Sequence, residues 1–273
     1  MDTKRIVKVF LGIVVVGVVA LAPWLDGGRM PWVDGCVVWV FDVGQGDGIF
    51  MDCPYGQVLI DGGPSGSIVE DLTRVMPFWD RSIDLVVNTH PHADHLNGLL
   101  PVLERYDVGE VWTPGQTYSS QASSLFDEWS FEAMRAVEIG DSIVLGEEIE
   151  LSVVFPEEAY DGERLEDPND GSVVTLLTVS DRTMLFTGDA GVEQEAIFQN
   201  LLQEVDILKV GHHGSLTSSG LSFLESINPE LAIISLGENG YGHPHPVILD
   251  RFERLGIPVM RTDLDGSIRI DLF

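Results

Sequence analysis

Residues 88–98 read NTHPHADHLNG, with three histidines and an aspartate between positions 90 and 95. Imidazole and carboxylate at this density make a metal-ligand set, because imidazole suits zinc and neighbouring divalent ions. His90 and His92 stand at i and i+2, so on an extended segment they point to the same side. Asp94 and His95 are adjacent where a helical pattern begins, and the turn there presents them to a second point nearby. The arrangement suits two ions about 3.5–4 Å apart, one on the His90/His92 pair and one on Asp94 and His95. The other four histidines fall in only two places, His212-His213 and His243/His245. Unrelated surface histidines would scatter more widely.

Two metals need a bridging carboxylate and a further imidazole. Leu185-Phe186-Thr187-Gly188-Asp189 ends an apolar run with an aspartate in a glycine turn. Leu208-Lys209-Val210-Gly211-His212-His213-Gly214-Ser215 ends another with paired histidines. Alone, Asp189 would suit a helix N-cap and the histidine pair a turn. Beside the first cluster, both become candidate ligands.

These residues need strands that end together. Short β-branched runs between turn residues predict strands at 37–41, 49–52, 58–60, 83–88, 142–145, 149–155, 173–179, 183–186, 207–210, 231–234, 259–261 and 268–270. Helical periodicity predicts helices at 67–76, 96–106, 120–136, 192–202, 221–227 and 247–255. Each half holds a sheet with helices interleaved. The expected fold is α/β (α+β): two sheets packed face to face and covered by helices, as one domain over residues 32–273.

The start of the chain has another character. Lys4, Arg5 and Lys8 precede an uncharged run over 9–25, and Asp26 and Asp34 follow it. Residues 1–31 therefore read as a membrane anchor or signal segment with its linker. The length is the lower limit for a span, and Ala20-Leu21-Ala22 has a cleavage-site form that Pro23 disfavours. Either way the charge order places the remainder outside the cytoplasm, anchored or secreted. The 273 residues carry 15 Lys+Arg against 44 Asp+Glu, a net charge of −29. That is a solvated acidic surface or an adaptation to molar salt, and it disfavours nucleic acid at low salt. Of the two cysteines, a hairpin centred on Gln45-Gly46 sets Cys53 opposite Val38 and leaves Cys36 diagonal to it. At about 7 Å a diagonal pair is too far apart to bridge, so two buried thiols are expected.

H-x-H-x-D-H followed by TGD and HHGS resembles the metallo-β-lactamase superfamily, which implies an αββα sandwich with a dinuclear site. FDVGQGD at 41–47, LIDGG at 59–63, NDGSVV at 169–174, HHGS with Ser218-Ser219, and NGYGHP at 239–244 further resemble the metallo-β-lactamase domain of ComEC-type DNA-uptake competence proteins. The likeness covers nearly all of residues 36–273, with no multi-helix channel, so a stand-alone, singly anchored domain is expected. The resemblance implies that His90 and His92 bind the first metal, Asp94 and His95 the second, and Asp189 both. One histidine of HHGS completes the second site: His213 is favoured, with His212 reaching the substrate or leaving group, though sequence does not order them. No histidine lies between Leu96 and Gly211, so the first site keeps His90, His92, Asp189 and water unless Asn169 or Asp170 fills it.

The implied cofactors are two divalent ions, zinc or manganese, with a metal-bound water lowered to a pKa of about 7 as the hydroxide nucleophile. Asp94 also holds the nucleophile's proton, Ser215 and His243 are candidate phosphate contacts, and Asp61 and Asp47 are candidates for hydrogen-bonding the metal histidines from behind. The leading expectation is an extracytoplasmic phosphodiesterase or nuclease acting on single-stranded DNA, working with a separate channel protein. The alternatives are a hydrolase of a small phosphoester or other ester, and an anchored binding module without catalysis.

Overall fold

Alternation along the strands builds two sheets that share a core. The computed structural model describes residues 35–273, and the expected anchor or signal segment lies outside the described residues. Among those described, no helix is long and apolar enough to cross a membrane. The strands are β1 (Cys36–Val40), β2 (Ile49–Cys53), β3 (Gly56–Ile60), β4 (Ser82–Val87), β5 (Asp107–Thr113), β6 (Met134–Ala136) and β7 (Ser142–Gly146). They continue with β8 (Ile149–Phe155), β9 (Val174–Val179), β10 (Arg182–Phe186), β11 (Ile207–Lys209), β12 (Leu231–Ile234), β13 (Val259–Arg261) and β14 (Ile268–Leu272). One sheet runs β14-β1-β2-β3-β4-β5-β6, the other β13-β12-β11-β10-β9-β8-β7.

Each sheet is antiparallel on one side and parallel on the other, the parallel ladders being β3-β4-β5-β6 and β10-β11-β12-β13. Val58, Ile60, Leu85 and Val87 of the first sheet meet Leu151, Leu177, Met184 and Phe186 of the second in the inter-sheet core. The alternate residues face outward under helices: Leu59 and Val86 pack with Ile68, Leu72 and Leu99, and Leu185 and Leu208 with Phe198, Phe223 and Phe252. Burial on both faces is why these strands read as nearly unbroken apolar runs. The four layers are the expected αββα sandwich.

Three local expectations are corrected. The helix at 96–106 is two pieces, Ala93–Leu96 and Leu99–Arg105. Gly62 N–H donates to the His95 carbonyl and Gly98 N–H to that of Gly63, and a Cβ on Gly98 would lie 1.7 Å from the Gly62 oxygen. Backbone thus presses on backbone, and the helix yields there. The helix at 120–136 stops at Ser130, and Met134–Ala136 becomes edge strand β6. Its neighbour β5 went unpredicted because Asp107, Gly109 and Glu110 mask an apolar strand buried only at Val111–Thr113.

The cysteines are the third correction. Val37 pairs with Asp52 and Val40 with Ile49, so the hairpin centres one residue earlier than expected and the register moves by two. Cys36 and Cys53 then face each other with Cα atoms 4.4 Å apart and form a disulfide. Such a separation is that of a non-hydrogen-bonded antiparallel pair.

Candidate metal centre

Five strands end in the same crevice, and each delivers a polar residue just past its carboxyl end. Asp61 follows β3, His90–His95 follow β4, Asp189 follows β10, His212-His213 follow β11, and Ser235 follows β12. Carboxyl ends of parallel strands are where open α/β sheets gather their sites.

Asp61 organises the first cluster from behind. Fully buried, at φ 57°, it accepts from Thr89 N at 2.9 Å and, through Oδ2, from Thr89 Oγ1 at 2.7 Å. The same Oδ2 lies 2.8 Å from His95 Nδ1. A carboxylate can only accept, so His95 Nδ1 carries the proton of the neutral ring and Nε2 is left as its metal-binding lone pair. Having spent its own proton on Asp61, Thr89 Oγ1 must accept from His90 Nδ1, 3.1 Å away. His90 Nε2 is therefore also a lone pair, and it lies 3.2 Å from His92 Nδ1. On the far wall His213 Nδ1 donates to the Ser235 carbonyl at 2.9 Å, which again leaves Nε2 bare.

Those bare nitrogens converge. His95 Nε2 and His213 Nε2 are 3.3 Å apart. Asp189 Oδ1 stands 3.4 Å and 3.7 Å from them, and Asp94 Oδ2 lies 3.4 Å from His213 Nε2. The other oxygen, Oδ2, lies 3.8 Å from His90 Nε2 and 3.8 Å from His212 Nε2. Asp189 thus offers one oxygen to each of two nitrogen pairs, and its Oδ1 is buried with no hydrogen-bond partner. Lone pairs facing one another beside a buried carboxylate repel unless a cation lies between them. The donor set fits divalent metal: His90, His95 and Asp189 form one cluster, Asp94, His95 and His213 another. His92 meets this set through His90.

Charge reflects the same arrangement. Burial opposes charging of His95 and His213, yet Asp189, with Asp61 at His95 and Asp94 at His213, raises both above the usual imidazole range, so the carboxylates call for positive charge at these inner nitrogens, from a proton where no metal supplies it. Burial pushes His90 well down, helped by the neighbouring His95. Against the cost of burial, the histidines hold Asp94 and Asp189 well below the ordinary carboxylate range.

The paired histidines diverge because of their backbone. His212 (φ 47°) and His213 (φ 53°) are consecutive left-handed residues ending in Gly214, a conformation that costs non-glycine residues about 1–3 kcal/mol each. His213 enters the core, while His212, whose side chain is 25% exposed, is braced by Thr217 Oγ1 at 3.1 Å. Ser215 is buried and turned onto Thr217 Oγ1 at 3.0 Å, so it bears on the site through Thr217. His212 lines a cleft of about 360 Å³ with Gln45, His92, Asp94, Tyr118, Asn169, Asp189, Tyr241 and His243. Asp170 lies in a neighbouring concavity.

Lys209 is the residue that motif reading missed. Fully buried, it donates to Asp47 Oδ2 at 2.6 Å, so Asp47 answers this lysine, with Oδ1 still 3.6 Å from His213 Nδ1. A lone lysine inside LKVGHHGS, in a chain with 44 acidic residues, was the available signal. Tyr118 carried none, and Tyr241 lay inside NGYGHP without being singled out.

Residues 56–238 match the family described as the metallo-beta-lactamase superfamily. ComE operon protein 3 of Bacillus subtilis is 30% identical over 84% of this chain and 32% of its own length. Recombination protein 2 of Haemophilus influenzae is 28% identical over 85% and 28%, and competence protein ComA of Neisseria gonorrhoeae 26% over 86% and 32%. The chain spans about a third of the length of these relatives. Among solved structures, the metallo-beta-lactamase fold protein YhfI of Bacillus subtilis shares the fold at 10% identity, with a TM-score of 0.56 over 86% of this chain and 99% of that one. CmlA, a diiron beta-hydroxylase of Streptomyces venezuelae, aligns at 16% identity and TM-score 0.55 over 87% and 54%. With the sandwich, the crevice and a match over most of its length, the chain belongs to the metallo-β-lactamase superfamily.

Proposed function

We propose that this chain is an extracytoplasmic, metal-dependent phosphodiesterase that cuts single-stranded DNA in connection with DNA uptake. One observation carries the reading: Asp189 presents one oxygen to His95 and His213 and the other to His90 and His212, beside an open cleft. The competence relatives support the link to DNA. His90, His92 and Asp189 would hold one divalent ion, and Asp94, His95, His213 and Asp189 a second, zinc or manganese. When bound, the metals supply Lewis-acid stabilisation of phosphoryl charge and a nucleophilic hydroxide near neutral pH.

The chain's own groups do the rest. Asp61 and the Ser235 carbonyl fix three imidazoles with their lone pairs inward. Asp94, partly exposed at the cleft, accepts the nucleophile's hydrogen bond and orients it. His212 stands at the cleft to reach the leaving oxygen with a hydrogen bond, with Thr217 setting its ring and Ser215 setting Thr217. His243 meets the substrate. The Cys36–Cys53 disulfide supports an oxidising compartment outside the cytoplasm, reached through the apolar run at 9–25, with a separate channel protein as partner.

A second reading, hydrolysis of a small phosphoester, is favoured by the lack, among the described residues, of any lysine or arginine in the cleft lining. Incubating the full chain and manganese or zinc with end-labelled single-stranded DNA and with p-nitrophenyl phosphate decides between them. Metal-dependent shortening of the DNA is expected; intact DNA with rapid monoester turnover would favour the second reading.

A further inference from the structure

We infer that the cleft recognises unpaired nucleobases by stacking on a ladder of rings that leads out from the metal centre, and that phosphate neutralisation contributes little to binding. The inference rests on the phosphodiesterase reading and names how its substrate is held. His212, beside Asp189, stands edge-on to His243, with ring centroids 5.6 Å apart and 77° between the planes. His243 in turn stacks on Tyr241 at 5.7 Å with 30° between the planes. Tyr241 ends the series at 77% exposure, its outer face open to solvent. On the opposite wall Tyr118 stands edge-on to His92 at 5.7 Å.

The loop that carries the ladder is a built structure. Asn239 donates through Nδ2 to the carbonyls of Gly237 (2.9 Å) and His243 (3.0 Å). Through Oδ1 it accepts from the backbone of Tyr241 (3.2 Å) and His243 (3.1 Å). One side chain thus fixes both ladder residues. Polar atoms without partners line the same cleft: Gln45 Oε1, Asn169 Oδ1 and His243 Nδ1.

Charge disfavours the usual alternative. Among the described residues, Arg74, Arg105, Arg135, Arg182, Lys209, Arg254, Arg261 and Arg269 are each held in ion pairs with carboxylates. Arg81, Arg164 and Arg251 lie outside these pairs, and none of the eleven described lysines and arginines lines the cleft. A protein neutralising six phosphates of a single strand loses about 10⁴-fold in affinity for a tenfold rise in salt. Stacking has no such dependence, and each stacked base is worth about 5- to 150-fold in affinity. A chain of net charge −29 that stacks its substrate therefore binds as well, or better, as salt rises.

The test is fluorescence anisotropy with the full chain, manganese and a phosphorothioate-linked dT 12-mer. The comparators are an abasic phosphorothioate 12-mer of equal charge and a duplex of the same length. Expected are at least tenfold weaker binding of the abasic strand and of the duplex, and affinity for the dT strand that is flat or rising from 50 to about 500 mM salt. Tyr241→Ala should weaken binding at least fivefold and Tyr241→Phe should restore it. Equal binding of the abasic strand, or an unchanged Tyr241→Ala, would overturn the ladder, and so would a steep fall with salt. Hydrolysis of bis(p-nitrophenyl) phosphate by the unmodified chain reports the underlying reading separately. No hydrolysis together with base-dependent binding sinks that reading and supports the ladder, whereas hydrolysis with base-independent binding sinks the ladder alone.

Discussion

Replacing Asp61 with asparagine changes two metal-facing imidazoles through one atom. Oδ2 of Asp61 accepts from both Thr89 Oγ1 and His95 Nδ1. An amide Nδ2 in that place donates, so His95 must take the tautomer with its proton on Nε2, the nitrogen that faces Asp189 and His213. Thr89, no longer donating to a carboxylate, also stops holding His90 in its tautomer. Loss of one such outer hydrogen bond costs about 10- to 100-fold in metal affinity, or about 1.4–2.7 kcal/mol. Both imidazoles depend on the one carboxylate, so the upper end is expected. The fold should survive, because asparagine tolerates the positive φ at this position and burying a neutral amide costs less than burying a carboxylate. Chelator-competition titration of the full chain with zinc measures the affinity, and circular dichroism checks folding. A folded Asp61→Asn chain that binds metal with unchanged affinity and stoichiometry would refute the tautomer argument.

Lys209→Met strands the buried Asp47 carboxylate and should lower stability by about 3–5 kcal/mol in urea unfolding, with Lys209→Met/Asp47→Leu recovering most of it. Glu195, buried while accepting from Ser219 N and Gly220 N, is raised to about 7 by burial. Its folded value lies above its unfolded one, so the native state holds the extra proton and stability falls between about pH 4.5 and 7. The loss is about 3 kcal/mol and should be absent from Glu195→Gln melts over the same range. Cys36→Ala/Cys53→Ala opens a loop with a sequence separation of 17 and should cost about 3 kcal/mol on a chain-entropy basis, read by chemical denaturation without reductant. His212→Ala should keep its metal by elemental analysis while kcat on DNA falls about 100-fold or more.

The ligand-type residues were legible because they are rare in kind and dense in spacing. His90, His95, Asp189 and His213 come together, and His212 parts from His213 as the glycine-flanked turn allows. Strands buried on both faces, such as β4 and β10, announced themselves as apolar runs. What stayed hidden depends on pairing at a distance. The hairpin register that joins Cys36 to Cys53 turns on where an eight-residue loop is centred. Strand β5 hides behind its exposed charges. The Lys209–Asp47 pair spans 162 positions, and no local pattern reports such a contact. The ring ladder is likewise a product of the 235–245 loop closing on Asn239.

The most direct test titrates manganese or zinc into the metal-stripped full chain, following bound metal and cleavage of single-stranded DNA together, beside Asp94→Ala. The account predicts that cleavage rises as the second equivalent binds, and that Asp94→Ala binds less metal and does not cut. Full loading without cleavage by the native chain, or unchanged cutting by Asp94→Ala, would contradict it.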